Sequence, residues 1–203
     1  MATIALHTII KDSLKRSISY ADYRELVSKL VSENTTSGHE KTEALIDYTK
    51  LNDRRMKRWD KTLKITEDQE AKISSITTAM TWLVITESWC GDAAHVIPVL
   101  NKMASASEVI DLKLVFRDEN EALMDQFLTN GGRAIAKVII IDTHSGEVLH
   151  TYGPRPHEAS KLVQAYKAAH GALTPEFKEA LQVWYNKDKG QAVINDLLKL
   201  LDT

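Results

Sequence analysis

The sequence contains one cysteine, Cys90, within the stretch "ESWCGDAAHVIP" (87–98). An apolar run precedes it and a segment of helical character follows, so we expect Cys90 in the first turn of a helix that begins near Gly91. Free backbone N–H groups and the positive end of the helix dipole stabilise a thiolate at such a position. Because a thiolate is the form of cysteine that attacks disulfides, thiol–disulfide exchange is the chemistry this position could carry.

Two acidic neighbours oppose ionisation of this thiol. Asp92 lies two residues after Cys90 and Glu87 three residues before it, and each carboxylate disfavours a second negative charge nearby. A helix start lowers a pKa by less than about one unit. We therefore predict an accessible thiol with a modestly lowered pKa, tuned by Glu87 and Asp92. A buried, inert cysteine is the alternative, since cysteine is often fully buried.

Other ionisable residues near the predicted end of the sheet have both a structural and a functional interpretation. Arg117 lies at the end of a predicted strand, where we expect it to form a structural ion pair. The functional hypothesis is that Arg117 helps to bind an anionic thiol. Arg155, in "YGPRP", could lie near the same sheet end, or simply mark a helix start. We interpret His95 as an ordinary helix residue, because no carboxylate partner for a catalytic triad is evident.

Composition and charge exclude several classes of function. A net charge of −2 gives no general attraction for nucleic acid, and the basic run "RRMKRW" (54–59) lies among aspartates, which favours a solvated helix face. Seven histidines and one cysteine show no metal-ligand spacing, so we predict no metal and no cofactor. No stretch approaches the roughly 18 apolar residues of a membrane span, and we interpret no segment as a signal peptide. A lone cysteine fits a reducing cytoplasm, where we place the protein.

The elements that must position Cys90 follow from hydrophobic periodicity. Strand-like runs alternate with helical ones, and the last two strands form a hairpin. The predicted strands are 81–87, 110–116, 137–142 and 147–152, with helices over 92–105 and 119–130 and three more after the hairpin. We predict an α/β fold with a mixed sheet of four or five strands flanked by helices.

Helical segments precede and follow this unit. We divide the chain into a helical N-terminal extension (1–79) packed on the main domain, the sheet-containing domain (80–170) and C-terminal helices (171–203). Capping boxes at Ser19 and Thr66 predict two of the N-terminal helices. The apolar stripes of that region fit either a cover over the sheet or a homodimer surface.

The order of elements, with "WCG" after the first strand of the unit, resembles the thioredoxin-like superfamily over about residues 80–170. Pro98 lies eight residues after Cys90, where thioredoxins place the proline of their active-site helix. The stretch also resembles a bacterial group of thioredoxin-like proteins with single-cysteine WCGDA active sites. The resemblance implies an active-site motif formed by Trp89, Cys90, Gly91, Asp92, Ala93 and Pro98.

Three positions depart from the thioredoxin pattern. Ala93 stands where thioredoxins carry a second, resolving cysteine, which rules out the ordinary dithiol cycle. Ala136 stands in place of the cis-proline of the thiol-facing loop, and Val84 in place of a buried acidic residue. A cis bond before a non-proline residue is less stable than trans by about 3–4 kcal/mol, so we expect a trans Ile135–Ala136 bond and a rebuilt loop.

The leading functional hypothesis is monothiol exchange at Cys90. A mixed disulfide that Ala93 cannot resolve needs an external thiol, so the expected partners are a small-molecule thiol or a protein disulfide. One alternative is a redox-inactive adaptor that binds a partner in the groove near Trp89 and Ala136. Another is a redox sensor in which Cys90 is oxidised or capped.

Overall fold

The computed structural model describes residues 2–202, with side chains from residue 5 onward. The sheet-containing unit has the predicted order β-α-β-α-β-β-α followed by two helices. The elements are α1 (Ala2–Lys15), α2 (Tyr20–Ser32), α3 (Glu43–Thr62), α4 (Glu67–Ser74), β1 (Met80–Thr86), α5 (Ala93–Ala104), β2 (Ile110–Phe116), α6 (Glu121–Gln126), β3 (Lys137–Asp142), β4 (Val148–Tyr152), α7 (His157–His170), α8 (Pro175–Asp188) and α9 (Gln191–Leu201).

Helix starts follow from local capping chemistry. The Ser19 hydroxyl accepts the backbone N–H of Asp22 at 3.1 Å, and the Asp22 carboxylate accepts the N–H of Ser19, which closes the predicted capping box. Thr66 and Gln69 form the same arrangement at the start of α4. Each box satisfies backbone donors that a helix leaves unpaired in its first turn.

The sheet is mixed, with strand order β2-β1-β3-β4. β1 pairs in parallel with β2 and antiparallel with β3, while β3 and β4 form the predicted hairpin. All seven residues of β1 are buried, as expected of a strand covered on both faces. Val84, at the position where the thioredoxin pattern has a buried acidic residue, is fully buried between Leu114 and Val138. The α/β fold with a four-stranded mixed sheet and helical extensions at both ends confirms the prediction.

The N-terminal helices pack directly against the sheet-containing unit. Ile18, between α1 and α2, exchanges two backbone hydrogen bonds of 2.9 Å with Leu114 of β2. Tyr23 and Val27 of α2 and Met56 and Trp59 of α3 belong to the same buried core as the sheet. Residues before β1 therefore help to form the surroundings of Cys90.

The C-terminal helices divide between two hydrophobic clusters. α9 buries Val193, Ile194, Leu197 and Leu198 in the main core. α7 and α8 instead share a small separate cluster that includes Val163. None of the described helices combines the length and the apolar composition that crossing a membrane requires.

Candidate active site

Cys90 lies at the junction between β1 and α5. Its N–H donates to the carbonyl of Glu87 at 3.1 Å, and its own carbonyl accepts the N–H of Ala94 at 3.2 Å, so the helical turn begins at Cys90. The Cys90 Sγ accepts the N–H of Ala93 at 3.5 Å and donates its proton to the carbonyl of Ile135 at 3.3 Å. Pro98 lies inside α5 and is buried.

The prediction of an accessible thiol with a lowered pKa is wrong. Cys90 is only 7% exposed, and burial, reinforced by the charge of Asp92, raises the pKa of its thiol to about 12. The N–H groups of Ala93 and Asp92 and the charge of Arg155 lower this pKa, but they do not offset burial. Local position at a helix start indicated a thiolate; removal from water by tertiary packing favours the neutral thiol.

The bond between Ile135 and Ala136 is cis, which corrects the expected trans geometry. The expectation was based on the cis–trans preference of an isolated peptide bond, which does not account for tertiary contacts. Here Ala136 is fully buried against Gly153, where an added Cβ would lie 2.3 Å from the Ala136 carbonyl oxygen. The loop keeps the Ile135 carbonyl in contact with the Cys90 sulfur.

A polar chain connects the predicted active-site motif to α8. Asp92 pairs with the guanidinium of Arg155 at 2.6 Å and accepts the hydroxyl proton of Tyr185 at 3.0 Å. Burial raises the pKa of Asp92, and the charge of Arg155 opposes that shift. The carboxylate is thus held by a residue before α7 and a residue of α8, neither of which is near it in sequence.

His95 is a buried bridging residue. The Trp59 indole N–H donates to its Nδ1 at 3.0 Å, so the proton resides on Nε2, which donates to the side-chain oxygen of Gln182 at 2.6 Å. Its ring stacks on Tyr185 with centroids 4.3 Å apart. Burial lowers the pKa of His95 to about 4, with a smaller contribution from nearby arginines, so the imidazole is neutral at physiological pH.

Protonation of His95 predicts a pH-dependent loss of stability. The unfolded chain binds this proton near pH 6.5, whereas the folded protein binds it near pH 4, so stability falls as the pH drops through this range, by up to about 3 kcal/mol. Urea unfolding between pH 7 and 4 checks the slope, which His95→Gln should reduce. His144→Gln, at an exposed histidine, is the control; an equal slope in wild type and His95→Gln would contradict the prediction.

Glu87, a predicted tuning residue, fixes the loop before α3. Its buried carboxylate accepts the hydroxyl proton of Ser37 and the backbone N–H of Asp118, the latter at 3.0 Å. Burial raises the pKa of Glu87. The Arg117 guanidinium pairs with Asp118 at 2.8 Å and lies 4.9 Å from the ring centroid of Trp89. Arg117 therefore contacts the motif through its tryptophan.

A cleft of about 800 Å³ adjoins these groups. Cys90 lies in its wall together with Trp89, Gly91, Asp92 and Ile135. α3 and α8, with the segment before α8, contribute mainly apolar side chains: Leu45, Tyr48, Leu51, Leu173, Pro175 and Leu181. Among residues 2–202, no three His, Cys, Asp or Glu side chains are grouped so that they could hold a metal ion.

Sequence reasoning missed the contributions of α3 and α8 to this site. Arg55 lies in the basic run interpreted as a solvated face, and Arg54, Lys57 and Arg58 there are indeed exposed. Arg55 is instead half-buried and lines the cleft. The sequence feature that could have indicated this was the spacing of Arg55 from Met56 and Trp59, which are buried. Tyr185 had no local sequence feature that would link it to Asp92.

Comparisons with known proteins agree with this architecture. Two solved structures superpose at a TM-score of 0.57 each: a protein of unknown function, PA1234, from Pseudomonas aeruginosa (18% identity) and an HIV 4E10 epitope scaffold (16% identity). Each match covers 91% of this chain and 98% of the other, and at such identities supports the fold alone. No curated protein sequence matches. The family model described as thioredoxin matches residues 38–167, more than half of the chain, and the chain therefore belongs to the thioredoxin family.

Proposed function

We propose that the protein catalyses monothiol–disulfide exchange at Cys90 within the cleft. The observation that carries this proposal is the position of the single sulfur, in the wall of a large cleft and in contact with the Ile135 carbonyl of the thiol-facing loop. The chain has no second cysteine, so an external thiol must complete the reaction. The cytoplasm, rich in small thiols, is the proposed location.

The exchange proceeds in two balanced steps. Cys90 sulfur attacks a disulfide RS–SR′, forms a Cys90–S–S–R bond and releases R′S⁻, which takes up the proton that Cys90 loses. A second thiol, R″SH, then attacks the mixed disulfide, forms RS–SR″ and returns Cys90 to its protonated form. The sum converts RS–SR′ and R″SH into RS–SR″ and R′SH, with no net oxidation or reduction.

The raised pKa of Cys90 shapes the second step. Thiols of low pKa leave a disulfide faster than thiols of high pKa. A thiol with a pKa of about 12 is a poor leaving group, so the mixed disulfide at Cys90 should be long-lived. Slow release is also expected because no internal cysteine, such as one at position 93, is present to resolve the mixed disulfide.

The same raised pKa favours a second candidate function, binding without redox turnover. A neutral, hydrogen-bonded thiol can serve as part of a cleft wall, and the apolar lining suits a ligand or a peptide. In this alternative Cys90 contributes packing and a hydrogen bond to Ile135, and Cys90→Ser retains binding.

Intact-mass analysis distinguishes the two candidates. We expect wild-type protein incubated with oxidised glutathione to gain one glutathione adduct and to lose it on addition of a reducing thiol. Cys90→Ser should gain none, and the urea-unfolded wild type gives the rate of an unprotected Cys90. Folded protein that never gains the adduct would contradict exchange and favour binding.

A further inference from the structure

The cleft beside Cys90 carries an excess of positive charge. Arg55, Arg117, Arg133, Arg155 and Lys178 line it, against the carboxylates of Asp92 and Glu179. Three of these cations are already paired. Arg117 contacts Asp118 at 2.8 Å, Arg133 contacts Asp125 at 2.7 Å, and Arg155 contacts Asp92 at 2.6 Å. Within the part of the chain that the structure describes, Arg55 and Lys178 have no carboxylate at ion-pair distance.

Arg55 is held in place by an uncharged partner, and the carboxylate of Asp92, itself paired with Arg155, attracts it without contact at ion-pair distance. Its Nη1 donates to the side-chain oxygen of Asn52 at 2.9 Å, and the Asn52 amide donates to the backbone carbonyl of Ser88 at 3.0 Å. Asn52 is fully buried on α3. It links the Arg55 guanidinium to the backbone of the loop that precedes Cys90. An added Cβ at Gly91 would lie 3.6 Å from Nη1, which places the charge directly beside the active-site motif.

The remaining donors of Arg55 are suited to an anion. Partial burial lowers its pKa, since a guanidinium removed from water lacks solvation. Among the described residues, Asn52 is the one hydrogen-bond acceptor of its side chain, which leaves the other N–H groups for a ligand. A planar guanidinium with free donors binds a carboxylate through two parallel hydrogen bonds.

The walls around Arg55 suit an apolar portion of the same ligand. Tyr48, two turns earlier on α3, is 43% exposed, although it is a large aromatic residue. Leu45 and Leu51 of α3 and Leu181 of α8 line the same cleft. The lining therefore combines a fixed cation, an apolar surface and a thiol.

We propose that Arg55 is the anion-recognition residue of this cleft, and that the ligand is a carboxylate-bearing, low-molecular-weight thiol or its disulfide. This inference rests on the proposed thiol–disulfide exchange at Cys90, because the ligand is a thiol or a disulfide. Arg55 binds the carboxylate, the apolar walls contact the carbon skeleton, and the ligand sulfur lies against Cys90. Lys178 adds a second, exposed positive charge to the cleft.

Selectivity between two disulfides tests the proposal. The probes are 5,5′-dithiobis(2-nitrobenzoate), a dianion, and 2-hydroxyethyl disulfide, which is neutral. Each rate on the folded protein is divided by the rate on the urea-unfolded chain, and the two quotients are compared. Because both probes react with the same thiol, any change in Cys90 ionisation cancels in the ratio.

We expect the folded wild type to favour the anionic probe, and Arg55→Gln to lower this selectivity about tenfold. Arg54→Gln, an exposed neighbour on the same helix, is the matched control and should keep the wild-type ratio. A ratio that Arg55→Gln leaves unchanged overturns the inference while the exchange function stands.

A second measurement separates the two proposals. S-methylglutathione carries the carboxylates but cannot exchange, so its binding to Cys90→Ser reports recognition alone. If neither disulfide reacts with the folded protein, exchange fails. Recognition is still supported if Arg55→Gln raises the Kd of this probe about tenfold in the Cys90→Ser background. In that case, absence of S-methylglutathione binding, or a Kd that Arg55→Gln leaves unchanged, overturns the proposal.

Discussion

Iodoacetamide is expected to alkylate Cys90 at pH 7 at least about 100-fold more slowly in the folded protein than in the unfolded chain. With a pKa of about 12, roughly one thiol in 10⁵ is ionised at pH 7, against about 3% of an ordinary cysteine. The greater nucleophilicity of a more basic thiolate recovers a factor of about 40, which leaves a net reduction of about 75-fold from ionisation alone. Burial of the sulfur slows access further.

The physical reason lies in three effects on the sulfur. Burial removes the water that would solvate a thiolate, and the carboxylate of Asp92 repels its charge. The thiol also donates to the Ile135 carbonyl at 3.3 Å, a hydrogen bond that ionisation would replace with repulsion between the sulfur and the oxygen. Each effect favours the protonated form, and together they outweigh the N–H groups of Ala93 and Asp92.

Variants at two cleft carboxylates check the electrostatic part of this prediction. Asp92→Asn removes the opposing charge and frees Arg155 from its counter-ion, so we expect alkylation about tenfold faster. Glu179→Gln removes an exposed carboxylate of α8 that lines the same cleft, and should leave the rate near that of wild type. An alkylation rate in wild type that levels off below about pH 8 would contradict the raised pKa.

Gly153→Ala is expected to destabilise the protein by about 2–4 kcal/mol. Gly153 has a φ of +99°, which side-chain-bearing residues rarely adopt. An added Cβ would lie 2.3 Å from the Ala136 carbonyl oxygen and 3.4 Å from its carbon, so the thiol-facing loop must shift. Urea unfolding measures the loss, and faster alkylation of Cys90 would report the displaced loop.

Gly131→Ala is the matched control for this effect. Gly131 also has a positive φ, +75°, but an added Cβ there meets nothing within 4 Å among the described residues. We expect only the backbone penalty, about 1–2 kcal/mol, and an unchanged alkylation rate. Equal destabilisation by the two substitutions would show that the close approach to Ala136 contributes nothing.

The sequence by itself determined the order of the elements and the location of the cysteine. Alternation and helical periodicity are local properties, so the runs 110–116 and 137–142 were predicted with the bounds that β2 and β3 have. Ser19 and Thr66 fixed helix starts through contacts three residues away. Placement of Cys90 between a strand and a helix followed from the same local patterns.

Only the tertiary structure decided the environment of that cysteine. The pKa of Cys90 depends on burial and on Arg155, which lies 65 positions later in the sequence and pairs with Asp92. The cleft is lined by α3 and α8, and Arg55 lines it through the fold of a helix that precedes β1. Solvation and Coulomb energies depend on distance in space, whereas sequence patterns report distance along the chain. Local patterns therefore indicated where the sulfur lies, and long-range packing determined whether it carries a proton.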